Sequence, residues 1–330
     1  MAPPCIRSKW LSSAALIVVS AVLLGCATAT NTPTEPPASI TPEAPLPGPT
    51  ATPNPELVLI TDSEVAWVSD LATWAAQEGL KFTIANPSGA SAYLRESQPH
   101  LAAVVSAGEA LDGSLQQAAS EGIPVVIVNV PGMEPGPSLS TVGNARHDQA
   151  GFLAGAMTGL ASQTGWIGQV TATGGPDEQA YSAGFTQGLL LGCPKCQLIS
   201  QTASDMTLDR FRANTVDIVY PFPGPAAAGV AEVLASGELP IVWIGENGPA
   251  PDTLLVGRVV FEEGFAVILA LEELIATGEG QFWQPSIGTY SILPVDINAD
   301  LLSPGRQRLL EEAYWAIVAG ELDIGTEPDT

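Results

Sequence analysis

The sequence predicts an α/β protein with doubly wound, Rossmann-like sheets and enough residues for two lobes. Short apolar runs typical of buried parallel strands alternate with amphipathic runs typical of helices, from about residue 56 to residue 324. The chain has 330 residues, of which 46% are hydrophobic and 14% are charged. This composition suffices for two cores and argues against extensive disorder.

Residues 1–25 have the plan of a secretory signal peptide. Arg7 and Lys9 precede an apolar run from Leu16 to Leu24, which is shorter than the ~20 residues that a transmembrane anchor needs. The motif Leu23-Leu24-Gly25-Cys26 resembles a bacterial lipobox, in which the chain is cut before the cysteine and the thiol is acylated. We therefore expect a protein anchored by lipid at Cys26 to the extracytoplasmic face of the cell membrane.

Residues 26–55 are expected to form a tether behind the lipidated cysteine. Thr, Pro, Ala and Glu dominate this stretch, and its prolines are too frequent for a helix. It should act as a semi-rigid spacer between the membrane and the folded part. At the other end of the chain, residues 325–330 form an expected acidic tail.

The first lobe is expected to comprise residues 56–143 and 258–286. Its opening strand, Leu57–Thr61, is apolar, and either Asp62 or Ser63 can cap the helix that follows. The other expected strands of this lobe are 81–85, 101–105 and 125–130, with 139–142 as an edge strand.

The second lobe is expected to comprise residues 144–257 and 287–324, and its clearest unit begins at Arg146. Asp148 is the expected N-cap of a helix, since its carboxylate can accept hydrogen bonds from backbone N–H groups of the first turn. Three glycines four residues apart line one face of that helix: Gly151, Gly155 and Gly159. Such a stripe permits close backbone approach, and we expect the neighbour to be the sheet.

A strand, a glycine turn and a second helix complete this unit. Trp166–Thr171 is the expected strand, and Asp177 is the expected cap of the helix that carries Tyr181. Ligands of open parallel sheets bind beyond the carboxyl ends of the strands, so the loop at 173–177 is a candidate binding edge. The remaining expected strands of the lobe are 197–201, 216–220 and 241–244, and residues 254–260 should lead back towards the first lobe.

Three motifs of the unit carry a family resemblance: Gly151-Phe-Leu-Ala-Gly155, Gly165-Trp-Ile-Gly168 and Tyr181-Ser-Ala-Gly184-Phe185. They resemble the basic membrane protein family of substrate-binding lipoproteins of ABC importers, whose best understood members bind purine nucleosides. The resemblance extends over about residues 57–324. It implies a type 1 periplasmic-binding fold, in which several chain crossings join two similar α/β lobes.

The overall charge limits the partners. The formal net charge is −24 at pH 7, whereas binding to phosphate backbones needs clustered Lys and Arg. Nucleic acid is therefore not an expected partner.

Cys193 and Cys196 form a Cys-Pro-Lys-Cys motif between a helix and a strand. Outside the cell an oxidised pair is expected, and the second cysteine pair of a zinc site is missing. A structural disulfide is the favoured interpretation, and a redox pair or a zinc half-site are the alternatives.

Signatures of catalysis are absent from the sequence. It contains no Gly-x-Ser-x-Gly, no His-Glu-x-x-His and no phosphate-binding loop. His100 and His147 are far apart, and the pair Glu262-Glu263 is interpreted as a solvated helix face, because neighbours in a helix point in different directions. We expect a protein that is not an enzyme and that uses neither cofactor nor metal.

Polar and aromatic residues follow several predicted strands and are the candidate ligand contacts. The set comprises Asp62, Ser106, Asn129, Tyr181, Phe222, Glu246 and Asn247. Aromatic rings combined with carboxylates and amides suit a planar ligand that forms hydrogen bonds. The resemblance implies that Asn247 occupies the position of the acidic residue that holds the ribose, and that Ala180 replaces an expected arginine.

These features predict a substrate-binding lipoprotein that captures a small solute, with a nucleoside favoured, and delivers it to an ABC permease in the membrane. The alternative is a relative that does not serve transport and instead senses a ligand or binds a partner. Neighbouring genes would separate the two, because a permease and an ATPase indicate transport and a histidine kinase indicates sensing.

Overall fold

The computed structural model describes residues 54–324, apart from 109–112, 173–174, 247 and 249–250. The predicted signal peptide, Cys26, most of the tether and the acidic tail lie outside the described residues, as does Asn247. Within the described part of the chain, no helix is both long and apolar enough to cross a membrane.

The first sheet has six strands, and all of its pairings are parallel. Its strands are β1 (Glu56–Ile60), β2 (Lys81–Ala85), β3 (Leu101–Ala107), β4 (Val125–Val128), β5 (Leu139–Val142) and β11 (Phe282–Trp283). They lie in the order β11-β5-β4-β3-β1-β2. β5 was predicted at the edge, but β11 covers it, because the chain returns to this sheet late in the sequence.

Helices cover both faces of the first sheet. They are α1 (Val68–Gln77), α2 (Pro87–Ser97), α3 (Ser114–Ser120) and α8 (Glu263–Thr277). One apolar cluster joins the sheet to α1 and α8, and a second joins it to α2 and α3. Two layers of helix around a parallel sheet define a doubly wound lobe.

The second sheet also has six strands, of which only the last is antiparallel to its neighbour. Its strands are β6 (Trp166–Thr171), β7 (Gln197–Thr202), β8 (Ile218–Pro221), β9 (Ile241–Ile244), β10 (Leu255–Phe261) and β12 (Ile292–Val295). They lie in the order β12-β10-β9-β8-β6-β7. The prediction assigned residues 258–286 to the first lobe, whereas Arg258–Phe261 pair with β9 and β12 in this sheet.

Helices also cover both faces of the second sheet. They are α4 (His147–Ala161), α5 (Pro176–Gly192), α6 (Leu208–Ala213), α7 (Ala227–Ser236) and α9 (Pro304–Val318). Apolar clusters lie on the side of α4, α5 and α9 and on the side of α6 and α7. The predicted class, two doubly wound α/β lobes, is therefore confirmed.

The glycine stripe of α4 packs against another helix and not against the sheet, so that expectation was wrong. A Cβ added at Gly155 would overlap the backbone oxygen of Phe185, and one added at Gly184 would overlap that of Asp148. Glycines of α4 and α5 thus face the backbone of the opposite helix. The sheet side of α4 carries large apolar residues such as Leu153 and Met157.

The expected N-caps of α4 and α5 are both displaced into the first turn of their helices. α4 begins at His147, and Asp148 lies in its first turn, where the carboxylate accepts two hydrogen bonds from the Arg146 guanidinium. α5 begins at Pro176, with Asp177 in its first turn. In that first turn a carboxylate still interacts favourably with the helix dipole.

Three crossings connect the sheets, after β5, after β10 and after β11. They are hydrogen-bonded to one another: the backbone N–H of Arg146 donates to the oxygen of Pro285 at 2.9 Å, and that of Glu262 donates to Ser291 at 2.8 Å. The buried side-chain oxygen of Gln149 also accepts the N–H of Ile287 at 2.7 Å. The crossings therefore form one connected hinge region.

The structure joins Cys193 and Cys196 in a disulfide between α5 and β7. Among the described residues no group of three or more His, Cys, Asp or Glu side chains could hold a metal ion.

Candidate functional site

A cavity of about 200 Å³ lies where the two lobes and one crossing meet. We call it the junction cavity. The first lobe contributes the start of α1, the second lobe contributes the bend after β9, and the wall between them is the crossing from β10 to α8. Its lining residues are Ala66, Trp67, Asp70, Gly245, Glu246, Phe261, Glu262, Glu263 and Gly264.

The lining combines aromatic rings with carboxylates. Trp67 and Phe261 supply the rings, and the carboxylates are those of Asp70, Glu246, Glu262 and Glu263. None of the lining residues, all of which the structure describes, is Lys, Arg or His. The lining of the junction cavity is therefore negatively charged, and its aromatic rings can interact with a cation.

Glu263 is the half-buried carboxylate of this wall. Burial raises its pKa, and the nearby imidazole of His147 and a hydrogen bond from the Trp67 side chain oppose that effect. Gly264 allows this geometry, since a Cβ there would lie 2.7 Å from the Cβ of Trp67. The first turn of α8 can thus approach α1 closely enough to bury the carboxylate.

A stack of rings lies beside the junction cavity on the second lobe. The ring of Tyr181 stacks on His147 with centroids 4.7 Å apart, and His147 meets Phe261 edge to face at 5.9 Å. The Nδ1 atom of His147 is 3.3 Å from a carboxylate oxygen of Asp177. Because Phe261 also lines the junction cavity, it joins the two groups of side chains.

Tyr181 is held as a neutral phenol. Burial raises its pKa, and the carboxylates of Asp177 and Glu263 raise it further. Its side chain is 7% exposed. At physiological pH the hydroxyl therefore stays protonated, and a buried phenol of this kind can donate a hydrogen bond.

Phe222 lies in the core and away from the junction cavity. It is 2% exposed, and its ring centroid is 4.8 Å from that of Tyr220, which in turn stacks on Phe185 at 4.6 Å. Phe222 therefore packs in the core directly after β8. A contact with ligand would require its ring to leave that cluster.

The other candidate residues lie at the strand ends of the first sheet. Asp62 is exposed in the bend after β1, and Asn129 is exposed directly after β4 with a φ of 55°. Ser106 is fully buried in β3, in register with Ile60 and Ile127. The structure thus brings Glu246 to the junction cavity and Tyr181 to its flank, but it places none of these three residues among the lining.

Four residues that the sequence interpretation did not select are central to the site: Trp67, His147, Phe261 and Glu263. The interpretation of Glu262-Glu263 as a solvated face was wrong for Glu263, which is half-buried, while Glu262 is exposed. The sequence feature that could have indicated this burial is the position of Glu263 at the start of a helix of one lobe, shortly after a strand of the other. At such a place a crossing buries the first turn of the helix.

A buried donor lies close to the same wall. The indole Nε1 of Trp243 has no hydrogen-bond partner among the described residues, and the side chain is 8% exposed. A Cβ on Gly245, which lines the junction cavity, would lie 3.2 Å from that nitrogen. An unpaired buried N–H is costly, so this donor favours an acceptor near Gly245.

The raised pKa of Glu263 leads to a prediction on stability. A raised folded-state pKa stabilises the fold only while the group is protonated, and this contribution is lost as pH rises through that pKa. At neutral pH the buried charge therefore opposes folding. Glu263→Gln should stabilise the protein at pH 7 by about 1 kcal/mol or less, with a smaller gain near pH 4.

Urea unfolding at both pH values measures this difference. Glu273→Gln is the matched control, because Glu273 is exposed on the same helix, and it should change stability little at either pH. Equal gains for Glu263→Gln at pH 7 and pH 4 would contradict the assignment.

The fold is shared with solved solute-binding proteins of ABC transporters and with a transcriptional activator. An ABC transporter solute-binding protein from Conexibacter woesei DSM 14684 is 16% identical, with a TM-score of 0.64 over 82% of this chain and 98% of that one. A sugar-binding protein of a sugar ABC transporter from Bacillus halodurans is 13% identical, with a TM-score of 0.53 over 76% and 100%. A transcriptional activator of the comK gene from Bacillus halodurans is 11% identical, with a TM-score of 0.63 over 82% and 99%.

These similarities establish the fold, which is the type 1 periplasmic-binding fold. No protein-family model matches the chain, and the search of curated proteins gave no significant match. The resemblance to the basic membrane protein family therefore stays a prediction.

Proposed function

We propose that the chain is a solute-binding protein that closes its two lobes on a small solute and presents it to an ABC permease. The junction cavity carries this proposal, because both lobes and a crossing form its walls. Two lobes joined by a hinge can close around a ligand at such a place. The similarity in fold to solute-binding proteins of ABC transporters supports the same assignment.

The proposed protein is held at the extracytoplasmic face of the membrane by acyl chains on Cys26. The motif Leu23-Leu24-Gly25-Cys26 and the Pro/Thr-rich segment behind it support this part of the proposal. Each buried methylene of an acyl chain contributes about 0.8 kcal/mol, so two or more chains give a stable anchor.

The anchor is tested by Cys26→Ala in a bacterial host that processes lipoproteins. The variant should accumulate as an unlipidated precursor or soluble form, whereas the wild-type protein should sediment with membranes and gain the mass of its acyl chains. An unmodified Cys26 in the intact mass of the wild-type protein would refute the anchor.

The ligand that the family resemblance favours is a nucleoside. Tyr181 and Glu246, with Asp62, Ser106 and Asn129 at the strand ends, would supply aromatic contact and hydrogen bonds to a base and a ribose. Phe222 and Asn247 complete the proposed set.

A thermal-shift panel of nucleosides, bases, sugars and amino acids tests the proposed function. A ligand at ~100 times its dissociation constant should stabilise the folded protein by about 2.7 kcal/mol. Glu246→Gln should reduce this stabilisation, and Glu311→Gln on the exposed side of α9 should not. Stabilisation by a sugar alone would overturn the nucleoside assignment and retain the binding function.

A second candidate function is a sensor or partner-binding protein without a transporter. The similarity in fold to a transcriptional activator, with a TM-score of 0.63, supports this alternative. Co-purification with a permease from the native membrane, increased by ligand, would exclude this alternative.

A further inference from the structure

We infer that the junction cavity binds the positively charged group of an organic cation. The inference rests on the proposed function, since it specifies the ligand of the same cleft. The observations behind it are the size of the junction cavity, the chemistry of its lining and the state of the neighbouring cations.

The size of the junction cavity limits what it can hold. Sites that enclose whole drug-sized ligands measure roughly 300–1,000 Å³, whereas the junction cavity measures about 200 Å³. It can therefore accept a compact group, such as a quaternary ammonium or the charged edge of a heterocycle.

The lining suits such a group. Trp67 and Phe261 offer aromatic surface, and a cation over an aromatic ring gains about 0.5–2 kcal/mol, more when it is desolvated. Glu263 provides a half-buried carboxylate in the same wall. A partly desolvated carboxylate interacts more strongly with a bound cation than an exposed one does.

Two arginines already have carboxylate partners outside this wall. The Arg146 guanidinium is paired with Asp148, and that of Arg258 with Asp296. His147 interacts with Glu263 and Asp177 but stacks on Tyr181 and does not line the junction cavity. A neutral ligand adds no charge to a lining that contains four carboxylates, whereas a cation offsets their mutual repulsion.

The aromatic lining favours an organic cation over a metal ion. Among the described residues no group of three or more potential ligands is arranged to hold a metal. The net charge of −24 also attracts any cation towards the protein, an effect that high salt weakens.

The test compares compounds that differ in charge and little in shape. Choline is paired with its uncharged carbon analogue 3,3-dimethylbutan-1-ol, and 1-methyladenosine, a cation at neutral pH, is paired with adenosine. Calorimetric titration of the purified full-length protein should show at least one cation binding at least ten-fold more tightly than its neutral partner, and the preference should shrink in high salt.

Two variants locate the preference in the junction cavity. Glu263→Gln and Glu246→Gln should each reduce affinity for the cation about ten-fold more than affinity for its neutral partner, while Glu273→Gln should have no effect on either. Glu246 is exposed, so its variant retains the fold even if Glu263→Gln does not.

Each other outcome decides against the inference. Equal or tighter binding of the neutral partner overturns it and leaves the proposed function intact, as does a cation preference that both variants retain. If none of the four compounds binds while a neutral sugar or amino acid does, the inference is overturned and the proposed function is retained. If no solute tested binds, the proposed function is overturned as well.

Discussion

Gly184→Ala is expected to destabilise the protein by about 3 kcal/mol or more, because the added methyl group would overlap the backbone oxygen of Asp148. Backbone cannot rotate out of the way as a flexible side chain can. α4 and α5 would have to separate, and this would disturb the core in which Phe152 and Phe185 are buried. The site depends on the same contact, since α4 carries His147 and α5 carries Tyr181.

Gly89→Ala is the matched control. Gly89 lies inside α2, and a Cβ there meets no heavy atom within 4 Å. Replacing a glycine by alanine at a compatible helical position should stabilise the protein by about 0.4–1 kcal/mol. Urea or thermal unfolding of the two variants should therefore show changes of opposite sign, and a Gly184→Ala protein as stable as the wild type would contradict the close helix contact.

The strands could be predicted because they depend on local sequence. Runs such as Val125–Val128 and Ile241–Ile244 are short, apolar throughout and rich in β-branched residues, which favours a strand buried on both faces. The partner of a glycine stripe cannot be predicted in this way. The stripe shows that some backbone approaches closely, but the identity of that backbone is a tertiary contact between α4 and α5.

The site was predictable in part for the same reason. Tyr181 and Glu246 come after recognisable strands. Because ligands of open parallel sheets bind beyond the carboxyl ends of the strands, both residues could be selected from the sequence. Trp67 and Glu263 become neighbours only because a crossing brings the start of α8 against α1, although they are far apart in sequence. No local pattern marks such a contact, and an adjacent pair of glutamates resembles any solvated helix face.

The ion pair between Arg146 and Asp148 stabilises the entry of the chain into the second lobe. The side chains are 16% and 5% exposed, and the guanidinium donates to both carboxylate oxygens, at 2.8 and 2.6 Å. The backbone N–H of Arg146 donates to Pro285 of another crossing. The pair therefore fixes the first turn of α4 where two crossings meet, next to the His147 ring.

Arg146→Met is expected to destabilise the protein by about 3–5 kcal/mol, because it leaves the buried Asp148 carboxylate without its cation. A second change, Asp148→Leu, should recover most of that loss, since it removes the carboxylate that has lost its guanidinium partner. Arg308→Met is the control: the pair of Arg308 with Glu312 is exposed at 3.3 Å and should contribute at most about 0.5 kcal/mol. Equilibrium unfolding in urea measures all four proteins, and equal losses for Arg146→Met and Arg308→Met would show that burial does not decide the strength of these pairs.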